Sequence, residues 1–178
     1  MKYSIIIFLG LLVTSCGMKQ AFTNNLKEEF NLEPESQMKK VQFYISQTIT
    51  LQRVKQTGTQ GTTESGVLVT NKSKVEDRII IQAHTPGIFE GYGKNNEMLI
   101  RFEAGQGRYL TFNVRQDNSG NAKFYLVAEW DMNRGGQITY SNEKYVLDSY
   151  ANNAYLLVVL KKLQRTKRTD RVVKGMKV

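Results

Sequence analysis

Hydrophobic and polar residues alternate along most of the chain from Val41 onward, with a period of two instead of a helical period. This pattern is typical of β-strands that bury one face, because successive side chains point to opposite sides of a sheet. It is clearest in five segments: Val41–Ser46, Ile49–Gln52, Met98–Glu103, Leu110–Arg115 and Phe124–Trp130. Two continuously apolar runs, Ile79–Ile81 and Leu156–Leu160, are typical of strands covered on both faces.

Residues that favour turns separate these segments, as expected for hairpin connections. They lie at Thr57–Thr63, Gly91–Asn96, Gly105–Gly107, Asp117–Asn121 and Asn133–Gly136. The first of them is rich in Thr and Gly and predicts a flexible loop. No stretch after Glu35 shows a long helical period. We therefore predict an all-β fold after an N-terminal signal and tether, as an antiparallel sandwich or small barrel of about nine or ten strands.

The segment before the predicted β-domain is polar but carries Phe22, Leu26 and Phe30 at every fourth position. This spacing predicts a short helix with a cap within Thr23–Asn25, ending before Pro34, since the residue before a proline disfavours helix. We expect residues 16–37 to act as a tether. The helix is either a docking turn that packs on the domain or a dedicated partner-binding helix.

The first sixteen residues have the order of an export signal. A short basic start precedes the apolar run Ile5–Val13, which is too short to span a bilayer but fits a signal-peptide core. Val13-Thr14-Ser15-Cys16 follows, and these small residues before the only cysteine resemble the lipobox of bacterial lipoproteins. The resemblance implies cleavage before Cys16, a diacylglyceryl thioether on its sulfur and an acyl group on its new amine.

The lipobox resemblance defines the expected organisation and location. Residues 1–15 would be the signal peptide, 16–37 the lipidated cysteine and tether, and 38–178 one β-domain. Gly17, which is not acidic, is compatible with sorting to the outer membrane, so we expect a bacterial envelope protein held by lipid. The alternative is an ordinary secretory signal followed by an incidental cysteine.

Positive charge is concentrated at the end of the chain. The 178 residues include 25 Lys and Arg against 16 Asp and Glu, a formal net charge of +9. The basic residues of the last segment are Lys161, Lys162, Arg165, Lys167, Arg168, Arg171, Lys174 and Lys177. We predict that they form a basic hairpin that ends the domain. It either docks on anionic lipid, a cell-wall polymer or an acidic protein surface, or protects an exposed edge strand from aggregation.

Tyrosines provide a second candidate surface. Tyr44, Tyr109 and Tyr125 alternate with the aliphatic and phenylalanine positions of their strands, so they fall on the opposite, outer face. Tyrosine is enriched at binding surfaces, but it also forms cross-strand pairs with no further role. Both interpretations stay open.

The sequence gives little support for a catalytic site or a metal site. One cysteine excludes an intrachain disulfide and any zinc site with two thiolates, and the sequence has no phosphate-binding loop or dinucleotide fingerprint. We expect no catalytic residue, metal or cofactor, and no nucleic-acid partner for an exported protein. Glu129 and Asp131 share a strand face, which leaves a carboxylate-based hydrolase as a remote alternative to a simple solvent face.

These observations predict a non-catalytic, membrane-anchored envelope lipoprotein whose β-domain docks on other proteins. It would be a subunit or assembly factor of an envelope-spanning complex such as a secretion system. Small lipid-anchored β-sandwiches of secretion systems share this general architecture, although the mature chain carries no signature that we match to a family. The alternative is a binding module for an anionic or sugar ligand of the cell envelope.

Overall fold

The computed structural model describes residues 17–62, 68–115, 121–131, 135–167 and 174–176. Its strands are β1 (Lys19–Ala21), β2 (Gln42–Ile45), β3 (Ile49–Thr62), β4 (Leu68–Ile81), β5 (Pro86–Tyr92), β6 (Met98–Arg101), β7 (Tyr109–Val114), β8 (Phe124–Leu126), β9 (Glu129–Asp131), β10 (Gly135–Tyr140), β11 (Glu143–Leu147) and β12 (Leu156–Val159). Its helices are α1 (Asn24–Glu29), α2 (Glu35–Met38) and α3 (Leu160–Lys167), with a 3₁₀ turn at Ser149–Asn153.

The strands form two antiparallel sheets. One has seven strands in the order β1-β12-β2-β5-β6-β7-β8, and the other has five in the order β4-β3-β11-β10-β9. This confirms the predicted all-β antiparallel fold and favours the sandwich over the barrel. Two isolated bridges, Thr23–Lys123 and Tyr125–Tyr155, bring β8 beside the opposite end of its own sheet. The described strands therefore curl without closing a continuous barrel.

The predicted alternation explains how the core forms. In β2 and β6 every second side chain is buried, and in β7 Leu110 and Phe112 are buried, so each strand contributes one apolar face to the interior. The largest fully buried side chains are Tyr140, Phe22, Phe43, Phe112, Met38, Ile45, Ile49, Leu51, Met98, Ile100, Leu110 and Leu147. They come from both sheets and from the segment before β2. One hydrophobic cluster therefore joins all these parts.

The segment before β2 is part of the domain, so the prediction of a tether is wrong from Lys19 onward. β1 pairs with β12, and Phe22 is 0 % exposed, with its ring 5.1 Å from that of Phe43. The predicted helix is confirmed as α1, because the Thr23 side chain accepts a hydrogen bond from Leu26 N and caps it. Phe22 and Phe30 are buried in the core and Leu26 packs partly buried against it, which is the docking-turn alternative.

The basic end of the chain does not form the predicted hairpin where it is described. Residues Leu160–Lys167 form helix α3 directly after β12, so the predicted basic hairpin is wrong for Lys161, Lys162, Arg165 and Lys167. The apolar positions Leu160 and Leu163 lie three residues apart and pack on the core, which favours a helical turn over a strand. Arg168, Arg171 and Lys177 lie outside the described residues, and Lys174 is exposed.

A long two-stranded ribbon leaves the five-stranded sheet. β3 and β4 pair in one unbroken register from Ile49–Ile81 to Thr62–Leu68, whereas β11 pairs with β3 only at Leu51 and Gln52. We call residues 54–62 and 68–75 the ribbon. It contains most of the Thr- and Gly-rich stretch that we predicted as a loop, so that prediction is wrong for Thr57–Thr62. Its strand of nine residues spans about 30 Å, at about 3.3 Å per residue.

Candidate functional site

Tyr44 lies between two lysines on the outer face of the seven-stranded sheet. Lys19 Nζ is 4.9 Å from the centre of its ring and Lys162 Nζ is 5.8 Å away. Lys162 Nζ also donates a hydrogen bond to the Tyr44 hydroxyl oxygen, at 3.1 Å. The contacts arise because β1 and β2 flank β12, and α3 continues from the end of β12. Lys19 and Lys162, which are far apart in sequence, therefore contact the same tyrosine ring.

Two further tyrosines form a similar arrangement where β8 meets the start of β12. The rings of Tyr125 and Tyr155 are 5.8 Å apart, edge to face. Arg115 lies over Tyr125, with Cζ 4.2 Å from the ring centre, and Lys123 Nζ lies 4.5 Å from the centre of Tyr155. Arg115 also donates hydrogen bonds to Asn152, which fixes its guanidinium group.

These two groups belong to one surface. Tyr155 precedes Leu157 by two residues, so both side chains lie on the outer face, and Leu157 pairs with Tyr44 in the sheet. We call this surface the basic–tyrosine face; it consists of Lys19, Tyr44, Arg115, Lys123, Tyr125, Tyr155 and Lys162. Each cation over an aromatic ring contributes about 0.5–1 kcal/mol at an exposed site. The surface is therefore both aromatic and positively charged, which suits an anionic partner.

The structure brings together only part of the predicted binding residues. Tyr44 and Tyr125 lie on the basic–tyrosine face, and Lys162 is the member of the basic end that joins them. Lys161 is exposed on α3, and of Arg165 and Lys167 the structure describes only the helical backbone. Sequence reasoning missed Lys19, Arg115, Lys123 and Tyr155, because their proximity depends on the order of the strands.

Tyr109 lies elsewhere, beside an open cleft. The cleft has a volume of about 470 Å³ and lies where β6 and β7 meet β9 and β10. Its polar lining includes Lys94, Thr111, Glu129, Gln137 and Asn142. Leucine, valine, isoleucine and alanine side chains form the apolar part of its wall together with the Tyr109 ring. A cleft with this mixture of apolar wall and polar groups fits a small polar organic ligand.

Glu129 and Asp131 both lie exposed on β9, as expected from their spacing. Trp130, between them, packs over Gly136, where an added Cβ would lie 2.6 Å from a Trp130 ring atom. Glu129 lines the cleft. The half-buried Trp130 leaves its two neighbouring carboxylates on the solvent face. A second carboxylate, Glu97, also lines the cleft, and it accepts hydrogen bonds from the backbone and side chain of Asn95.

A charged cluster holds the base of the ribbon. Arg53 forms an ion pair with Asp77, with Nη2 3.1 Å from Oδ2, and also pairs with Glu143. Its guanidinium lies over the Tyr145 ring, whose hydroxyl donates to the same Asp77 oxygen at 3.1 Å. The hydrogen bond to Glu143 raises the pKa of Arg53, and burial raises that of Tyr145. Both groups are therefore held in their protonated forms, so the cluster fixes where β3 and β4 leave the sheet.

The described residues contain no group of three or more His, Cys, Asp or Glu side chains that could hold a metal ion. In the same part of the chain, no helix is both long and apolar enough to cross a bilayer. Comparisons with protein-family models, with curated proteins and with solved structures find no match to this chain.

Proposed function

We propose that this chain is a non-catalytic, lipid-anchored protein of the bacterial envelope whose β-domain docks on other proteins. Its role would be that of a subunit or assembly factor of an envelope-spanning complex. Acyl chains on Cys16 would confine the domain to a membrane surface. Confinement raises the effective concentration of docking partners, so that weak contacts suffice for assembly.

The ribbon is the observation that carries the docking proposal. β4 is the edge strand of its sheet along its whole length, and β3 pairs only with β4 beyond Gln52 among the described strands. Backbone N–H and C=O groups along both edges therefore point away from the ribbon. A two-stranded hairpin is only marginally stable in water by itself, and a third strand would stabilise it.

We propose that an extended segment of a partner envelope protein adds to the edge of β4. In this mode of recognition the main-chain hydrogen bonds supply affinity, and side-chain pockets supply specificity. A pocket of about 250 Å³ adjoins the β4 edge at Ile79–Gln82, with Phe102 and Tyr140 in its wall. The half-exposed Ile80 adds apolar surface at the same place. Edge and pocket together would accept a strand with an apolar side chain.

The proposal is tested by cross-linking in intact cells, followed by fractionation and purification, with the wild type and Cys16→Ala side by side. We expect the wild type in the membrane fraction, with a defined set of envelope proteins in fixed ratio. We expect Cys16→Ala to leave that fraction, because it cannot carry the thioether. Membrane retention of Cys16→Ala would contradict the anchor, and recovery of the wild type without stoichiometric proteins would contradict docking.

A second candidate function follows from the cleft beside Tyr109. Its size and its polar groups fit a sugar or another small ligand of the envelope, and Glu129 and Gln137 could bind hydroxyl groups. Recovery of the wild type with cell-wall fragments instead of proteins would favour this function. Tyr109→Ala should then release the fragments, because the ring forms part of the wall of the cleft.

A further inference from the structure

We infer that the basic–tyrosine face lies against the anionic lipid headgroups of the bilayer that holds the anchor. The inference rests on the proposed lipidation of Cys16 and adds an orientation to it. A lipoprotein on a long tether samples many orientations above its membrane. Here the domain would instead rest on the bilayer by one defined surface.

The short distance between Cys16 and this face is the first reason. Gly17 packs against β12, where an added Cβ would lie 2.6 Å from Val159 Cγ1. Lys19 begins β1, three residues after Cys16, so its Cα lies within about 11 Å of the lipidated residue. Lys19 in turn lies over Tyr44, which is part of the basic–tyrosine face. Acyl chains on Cys16 would therefore bring this face to the membrane.

Charge complementarity is the second reason. Four cations, Lys19, Arg115, Lys123 and Lys162, lie over three tyrosine rings on this face. Lysine and arginine near a membrane surface are attracted by anionic lipids, and the attraction is short-ranged in salt. Tyrosine suits the headgroup region because its ring is apolar and its hydroxyl group is polar. Lys161 adds a further exposed cation on α3.

The position of the ribbon is consistent with this orientation. The basic–tyrosine face belongs to the seven-stranded sheet, whereas the ribbon extends from the five-stranded sheet. Contact between the face and the bilayer would therefore leave the β4 edge available to a protein partner. Membrane docking and protein docking would use different sheets of one domain.

The test uses the full lipidated protein, purified and reconstituted into vesicles of phosphatidylcholine alone or mixed with phosphatidylglycerol. Flotation of the vesicles first reports whether the anchor holds. A membrane-impermeant amine reagent then labels lysines, and mass spectrometry measures labelling at each position. We expect labelling of Lys19 and Lys123 to fall about fivefold or more in the anionic vesicles. High salt should restore it, and Lys94, exposed on the turn between β5 and β6, is the control.

A charge-reversed variant provides the matched comparison. Arg115→Glu combined with Lys123→Glu should float as the wild type does but lose the protection of Lys19 in anionic vesicles. Equal labelling of Lys19 in neutral and anionic vesicles, with flotation intact, would overturn the inference and leave the anchor standing. Failure of the wild type to float would overturn both.

Discussion

At the scale of single residues, a chain of tyrosines and charges connects the two sheets beside the base of the ribbon. The Tyr140 and Tyr145 rings are 6.2 Å apart, and the Tyr140 hydroxyl donates to Glu103 at 2.8 Å. Burial raises the pKa of Tyr140 above its ordinary value of 10.0, and the hydrogen bond to Glu103 raises it further. Tyr140 is almost completely buried, so ionising it would place a second negative charge beside Glu103. The folded state therefore favours the protonated Tyr140 hydroxyl.

This raised pKa predicts a pH dependence of stability. A group whose pKa is higher in the folded state contributes stability in full below its unfolded pKa and loses it as pH rises further. The free energy of unfolding should therefore fall as pH rises above 10, the ordinary tyrosine pKa. Tyr140→Phe should be less stable at neutral pH but show a shallower fall. Denaturant titrations across this range measure it, and an unchanged slope in Tyr140→Phe would contradict the assignment.

At the scale of secondary-structure elements, the segment from Lys19 to Met38 shows what the sequence could and could not predict. The spacing of Phe22, Leu26 and Phe30 predicted a short helix, and Thr23 caps it as expected. The polar composition of the same segment suggested a tether. Pairing of β1 with β12 overrides composition, because strand partners from opposite ends of the chain cannot be identified from one local pattern. For the same reason, the sequence did not identify Lys19 as a candidate binding residue.

The integrated segment makes a direct prediction. Phe22→Ala should destabilise the domain by about 3–5 kcal/mol, because it removes a fully buried ring from a core that cannot refill the space. Met18→Ala, at a side chain 88 % exposed, should change stability by less than about 0.5 kcal/mol. Equilibrium unfolding in denaturant measures both variants. Equal, small effects would mean that the segment is a tether after all.

The helix α3 shows a second limit at this scale. A run of basic residues suggested a hairpin, because lysine and arginine often protect an exposed edge strand from aggregation. Two leucines, Leu160 and Leu163, instead pack on the core with helical spacing. Two apolar residues in a basic segment are too weak a periodic signal to distinguish a short helix from a strand.

At the scale of the whole molecule, the fold class followed from alternation alone, since period-two patterns do not depend on strand order. Alternation could not predict the order of the strands or their division into two sheets. The basic–tyrosine face and the cleft exist only through that order. The sequence did not predict the ribbon for a different reason, because its Thr- and Gly-rich stretch lacks the hydrophobic and polar alternation that identifies strands.

Shortening the ribbon is the most direct test of docking through it. Replacing residues 56–74 with Asn-Gly keeps the residue pairs between β3 and β4 from Ile49–Ile81 to Lys55–Val75, and it keeps the Arg53–Asp77 ion pair. Asn-Gly suits the tight turn of a two-residue hairpin. Cross-linking in cells then compares co-purified proteins for the wild type and the shortened chain. We predict that the shortened protein folds and stays at the membrane but loses its stoichiometric partners. An unchanged set of partners would contradict the proposal.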